Sequence, residues 1–349
     1  MKWRSALFTP GRVEKKTTLF TQPAREAHDR ITNLLVLTHP ALTGVWQFRE
    51  TTKHFASLSD SGPVRDAVLS FINFPAAETA IKRMDLRESV SKISWERQRD
   101  AIAEMTFLVA CSVFENFTSA LQDLVAQSNG IAINNRRIEK GFQFPALSFD
   151  LNVSPPTSTA SSYRDNWKTA LALLPQSAFM IGRTLPTFPT RPNGQNILSD
   201  FEMKMQAYLL FKKLRNTIVH GNFDPDIPDQ FEVVDKIVDV AALGMNSKAT
   251  ISHDGSGEYY ITYYDVVGFV ALLLSIIRDI DFFYLTSQQG ESALIERLKA
   301  HRDSKASGQG DKTKENARLK RTLASLGGNQ LKVDDVTRNH FIANGAWRV

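Results

Sequence analysis

Phe107, Ala110, Phe114, Phe117, Leu121 and Leu124 recur every three or four residues along a stretch that begins near residue 95 and stops at Ser128-Asn129-Gly130. That period lays one apolar face along a helix, whereas a half-buried strand would alternate every second residue. Two further segments read the same way. Phe201 to Phe211 belongs to an amphipathic segment that runs from about 198 to His220, with Ser199 and Asp200 as cap candidates. Val266 to Ile277 is apolar, interrupted only by small residues, inside a helix expected from Asp265 to about Leu285. It is well short of the roughly 20 residues that span a bilayer, so it reads as a buried core helix. The expected class is mainly α.

The end of the second segment carries chemistry. Leu214-Arg215-Asn216-Thr217-Ile218-Val219-His220-Gly221-Asn222 places a permanent cation and an imidazole five residues apart where a helix should stop. Gly221 is suited to the left-handed C′ position that ends a helix. His220 therefore sits in the last turn, where the negative end of the helix dipole favours a cation. An Arg beside such a His is equipment for handling a phosphate. The same Arg-to-His spacing occurs at Arg49 and His54, but Glu50 follows the Arg there, Thr and Lys surround it, and no glycine stops the segment. That copy reads as coincidence.

The later stretch resembles the motif of the HEPN superfamily of helical ribonucleases and nucleotide-binding proteins: Arg, a polar residue, three more residues, then His at a helix end. Arg215, Asn216 and His220 occupy the matching positions, and Gly221-Asn222 adds to the match. Many members of that family resemble this chain in a second respect, an acidic residue midway along an early helix that approaches the motif arginine. Glu115 fills that place and would hold Arg215; on its own it is equally an ordinary solvated helix carboxylate. The resemblance spans roughly residues 95–285. It implies a HEPN-like antiparallel helical bundle with a small β-hairpin insertion and with extensions at both ends. It also implies a homodimer whose two motifs form one composite site, and a biological role as a toxin or antiviral effector.

Metal-free RNA cleavage turns the 2′-hydroxyl on the adjacent phosphorus. It needs a base, an acid for the departing 5′ oxygen and a cation for the phosphorane. Histidine supplies proton transfer near neutral pH, worth about 10²–10⁴ in rate, and arginine's planar fork matches phosphate oxygens. One motif supplies one His and one Arg, half of what the step requires. Two copies across an isologous interface would supply both. Asn216 could orient His220 or hold a phosphate oxygen. The products would be a 2′,3′-cyclic phosphate and a 5′-hydroxyl, with no cofactor. The alternative is a non-catalytic helical module in which Arg215 and His220 shape a dimer interface or a nucleotide or partner pocket.

The remainder of the 349 residues is divided as an N-terminal extension 1–94, the core 95–288 and a basic, partly flexible tail 289–349. The extension reads as mixed and irregular, with Ile31 to Leu37 strand-like or a short buried element, punctuated by His39-Pro40. Smaller helices are expected over 161–175, capped by Ser161 or Ser162, over 177–183 and over 229–243. A hairpin is expected across His253-Asp254-Gly255-Ser256-Gly257. Tyr259, Tyr260, Tyr263 and Tyr264 are candidates for base stacking and, more often, for packing. Asp224, Asp226 and Asp229 lie among prolines and read as a turn. His28, His39, His253, His301 and His340 show no metal-ligand spacing.

A net charge of +5 and a pI near 9.2 favour polyanionic partners. Lys and Arg dominate from Arg297 onward, and 304–313 reads as a linker or tail that could add phosphate affinity. A duplex-DNA-binding role for that tail is a third reading. The single Cys111 excludes a disulfide framework within the chain and suggests a reducing compartment. With Lys2 and Arg4 followed by too short an apolar stretch for a signal peptide, the expected location is the cytoplasm and no membrane contact is expected. A harmful nuclease would also need an inhibitory or activating partner, with 1–94 and 291–349 the places to look for its contact.

Overall fold

The computed structural model describes residues 19–58, 67–68, 71, 92–128, 174–183, 197–220, 252–253, 259–301 and 311–348. Most of them are helical: α1 Gln22–Leu58, α2 Trp95–Ser128, α3 Ala178–Arg183, α4 Ile197–His220, α5 Tyr263–Leu285, α6 Gln288–Ala300, α7 Lys312–Ser325 and α8 Asp335–Ala343. The fold is mainly α. Two two-residue strands, β1 Ser252–His253 and β2 Tyr259–Tyr260, pair antiparallel with Ser252 opposite Tyr260. The expected turn at 254–258, the helices at 161–175 and 229–243, Gly221-Asn222 and the Asp224 to Asp229 turn lie outside the described residues.

The chain divides into two compact units, each discontinuous in sequence. One comprises 28–116 and 203–275; the other comprises 1–27, 117–202 and 276–349. In the first, α2 packs its apolar face on α4 and α5. Phe107 and Phe269 meet ring to ring at 4.8 Å, Phe211 and Phe269 at 4.7 Å, and Phe114 and Tyr208 at 4.6 Å. All five side chains are buried. Val266, Phe269, Val270, Leu272, Leu273, Ile276 and Ile277 are fully enclosed, as expected of the apolar run in α5. That helix starts two residues before Asp265. Thr262 is its cap, and Asp265 bonds back to the Thr262 amide at 2.8 Å, the reciprocal arrangement that satisfies two orphan donors. In α4 the start at Ile197 puts Ser199 and Asp200 inside the first turn instead of at the cap.

Residues 22–58 correct the reading of an irregular N-terminal extension. They form one 37-residue helix that runs through Pro40, and the Ile31 to Leu37 segment is helical. Its enclosed positions include Thr38, Arg49 and Thr52. Arg49 donates to the Ile93 carbonyl at 2.6 Å, a structural role for this arginine that does not involve His54. Helix α2 from Trp95 to Val125 is long and apolar enough, by length and composition only, to cross a membrane.

The other unit contains the residues expected as a basic tail, and here too the expectation is corrected. Helices α6, α7 and α8 enclose Leu294, Leu298, Leu319, Leu323, Phe341 and Trp347 in a core shared with Phe20 and Tyr284. Ser287 caps α6 by accepting from Gly290 N at 3.0 Å. A β-carbon at Gly290 would lie 2.1 Å from the Tyr284 carbonyl oxygen, so the close approach of α6 to the end of α5 needs glycine. Gly327, at φ +89°, ends α7 in the left-handed region, and Gly328 N returns to Leu323 O at 2.7 Å. Buried Asp281 accepts from the amides of Phe20 and Thr21 at 2.6 and 2.7 Å, holding the chain as it enters α1. Residues 302–310, most of the expected linker, lie outside the described residues.

Candidate functional site

Helix α4 presents its apolar side, Ala207, Tyr208, Phe211 and Leu214, to the core of its unit, and each of these is at most 4% exposed. Arg215 follows Leu214 by one residue, about 100° around the helix. It therefore emerges at the edge of the buried stripe, facing the neighbouring helix and not open solvent. On α2, Glu115 follows buried Phe114 in the same way. The two edges meet: Arg215 Nη2 lies 3.9 Å from Glu115 Oε2, with side-chain exposures of 26% and 37%. The pairing of Glu115 with Arg215 that the resemblance implies is thus a charge contact at the long end of ion-pair distances, at a half-open margin.

Asn216 is exposed and its amide oxygen accepts from Arg215 Nη1 at 3.0 Å. It turns toward the arginine, and the guanidinium is held from two sides. His220 is the last helical residue, exposed, and it makes no hydrogen bond, ion pair or ring contact among the described residues. It stands five residues beyond Arg215, roughly 7.5 Å along the axis and 140° around it. The structure therefore gathers Glu115, Arg215 and Asn216 and leaves His220 apart at the helix end.

A layer beneath this surface was not singled out in the sequence as part of the site. Cys111 lies one turn before Glu115 on α2 and is 2% exposed. Burial, reinforced by the Glu115 carboxylate, pushes its thiol up to about 12, with Arg215 and Lys212 acting the opposite way. Burial likewise pushes the Tyr208 hydroxyl up, again with Glu115 and Arg215 acting in opposite senses. Both groups are neutral at physiological pH, so Glu115 and Arg215 rest on an uncharged floor. Periodicity placed Cys111 on the apolar side of its helix, but no pattern in one helix reveals which residue of another lies above it.

The remaining candidates fall elsewhere. Tyr263 hydrogen-bonds the His39 ring at 2.7 Å, and Tyr264 is 66% exposed. His340 bonds Glu291 at 2.7 Å and stacks on Phe179. Among the described residues no three His, Cys, Asp or Glu side chains are grouped to hold a metal ion. The chain matches no known family model, no curated protein and no solved structure.

Proposed function

We propose that this protein is a HEPN-like endoribonuclease that cleaves RNA by attack of the 2′-hydroxyl, without a metal, at a composite site built by two copies of the chain. The observation that carries this reading is Arg215, braced by Glu115 and Asn216 at the margin of a buried helix pair, with an exposed His220 one and a half turns further on. A braced guanidinium loses little freedom when it grips a phosphate, and the charge it offers is the one the phosphorane needs. A solvent-facing imidazole is free to exchange protons with substrate.

In this reading Arg215 binds the scissile phosphate, His220 moves protons, and Glu115 and Asn216 position Arg215. Each copy contributes one His, so base and acid come from different protomers. The substrate is RNA, the enzyme acts in the cytoplasm as a toxin or antiviral effector, and a partner protein restrains or triggers it.

The test is cleavage of end-labelled RNA in EDTA by wild type, Arg215→Ala and His220→Ala, with size-exclusion chromatography of each. Cleavage by wild type alone, giving cyclic-phosphate ends from variants of unchanged dimeric mass, is the expected result. Loss of the dimer in the variants favours the interface-module reading instead. Equal cleavage by all three rules the motif out.

A further inference from the structure

The exposed face of α7 carries cations that meet only one carboxylate, Asp311, among the described residues. Its buried side is Glu315, Leu319, Thr322 and Leu323. Opposite these, Lys314, Ala317, Lys320, Arg321 and Ser325 face solvent. Three of the five are cations and none is acidic. Lys314 and Arg321 are two turns apart, about 10 Å along the axis, with Lys320 beside them.

Every carboxylate between 311 and 348 is engaged or marginal. Glu315 is 5% exposed and faces Arg338. Asp334 caps α8 and takes Arg183 at 2.6 Å. Asp335 takes Arg338 at 3.2 Å. Only Asp311 touches the cationic face, 3.8 Å from a Lys314 side chain that is 87% exposed, a contact worth little in water. Lys320 has no partner among the described residues. Among the described residues Arg321 Nε reaches only the Ala317 carbonyl of its own helix. At the rim, Arg318 lies over the buried Trp347 ring at 4.7 Å and donates to the Arg348 carbonyl, which brings exposed Arg348 alongside the helix.

We propose that this face is a sequence-independent contact surface for a nucleic-acid phosphodiester backbone, gripped by Lys314, Lys320 and Arg321 with Arg318 and Arg348 at its edge. The composition of the face favours a chain of phosphates over other occupants. A membrane-surface helix would carry large apolar residues to insert, and a protein interface would centre on aromatic anchors. Here small Ala317 and Ser325 separate the cations and let the helix lie close against a chain of phosphates. Contacts of this kind position a nucleic acid without reading its sequence.

The full-length chain is titrated into fluorescein-labelled 20-nucleotide probes of single-stranded DNA, duplex DNA and 2′-O-methyl RNA, which 2′-hydroxyl chemistry cannot cleave. The perturbed protein is the triple variant Lys314→Gln, Lys320→Gln, Arg321→Gln. A control neutralises Lys53, Arg97 and Lys299 to Gln, cations exposed elsewhere. Wild type is expected to bind all three probes. Losing three phosphate contacts should flatten the dependence of log affinity on log salt by about 2 for single strands and about 2.7 for duplex, with at least a tenfold loss at 100 mM salt and an unchanged melting temperature. Affinity and slope unchanged in the triple variant, an equal loss in the control, or binding of only one probe would each overturn the proposal. The readout is binding, so its failure is separate from failure of the Arg215 and His220 chemistry.

Discussion

Replacing Glu115 by Gln should damage activity far more than stability. At a separation near 4 Å two unit charges attract by about 1 kcal/mol in water and about 4 kcal/mol at an effective dielectric near 20. Glu115 and Arg215 sit between these limits, 3.9 Å apart with side chains 37% and 26% exposed. Desolvation and side-chain ordering offset most of that attraction, leaving a net contribution of about 0–1 kcal/mol. A loss of 1 kcal/mol lowers Tm by about 2–4 °C in a chain of 150–250 residues. Activity responds to geometry instead. Without the carboxylate, Arg215 keeps Asn216 but loses its anchor on α2, and a displacement of about 1 Å at a catalytic group can cost 10²-fold in rate. The assay pairs differential scanning fluorimetry with initial rates on a fluorogenic RNA, separating kcat from KM. The expected result is a Tm within about 4 °C of wild type and a kcat reduced at least tenfold. Wild-type kcat would show that Glu115 is only a solvated helix carboxylate. A Tm loss above about 10 °C would show that the pair holds the fold, and the positioning argument would fail.

Phe107 is fully buried and its ring meets those of Phe211 and Phe269; Phe107→Ala should cost about 3–5 kcal/mol by urea titration, and a cost under 1 kcal/mol would contradict the packing. Trp347, 1% exposed, belongs to the core formed with α6, α7 and α8; Trp347→Ala should cost a similar amount, and a neutral result would restore the view of this region as a tail. Cys111, with its thiol raised to about 12, should resist iodoacetamide at pH 8 until guanidinium unfolds the protein. Because the folded-state value lies above the ordinary value of 9.0, its contribution to stability is present below pH 9 and lost as pH rises through about 12. Cys111→Ala should therefore flatten the alkaline fall in urea midpoint between pH 9 and 11, and an identical fall in both proteins would refute the assignment.

Helix α2 was legible because its buried positions are filled by Phe and Ala, so burial and hydropathy share one period. Helix α1 was not, and the reason is chemical. Its enclosed positions at 31, 38, 42, 49 and 52 keep helical spacing but hold Ile, Thr, Leu, Arg and Thr. The threonines satisfy themselves locally, Thr38 on the Leu34 carbonyl at 2.6 Å and Thr52 on the Phe48 carbonyl at 2.8 Å. Meanwhile Val36 and Leu37 face outward at 60% and 68% exposure, which inverts the apolar signal. Pro40 strengthened the misreading, since proline in a helix interior removes a hydrogen bond and usually ends or kinks the element. In α7 the charges that suggested a flexible tail occupy one side only, and Leu319 and Leu323 on the other side were outnumbered by lysine and arginine.

The candidate site divides along the same line between what one helix encodes and what two helices share. The spacing of Arg215 and His220 is a property of α4 and was readable. The partners of Arg215 depend on which residue of α2 lies opposite, a question of packing register that only the family resemblance addressed. The spacing also limits the chemistry. With Arg215 turned toward Glu115 and His220 about 140° further around the helix, a phosphate seated on Arg215 is better placed for an imidazole arriving from a second chain than for His220 of the same helix. The proposal then demands dominance. Dimers of one wild-type and one His220→Ala subunit, formed by exchange, should lose cleavage almost as fully as His220→Ala dimers, because the single composite site needs a histidine from each protomer as base and acid. Mixed dimers that form, as mass spectrometry of isotope-labelled subunits would show, yet keep half the wild-type rate would leave the shared site without support.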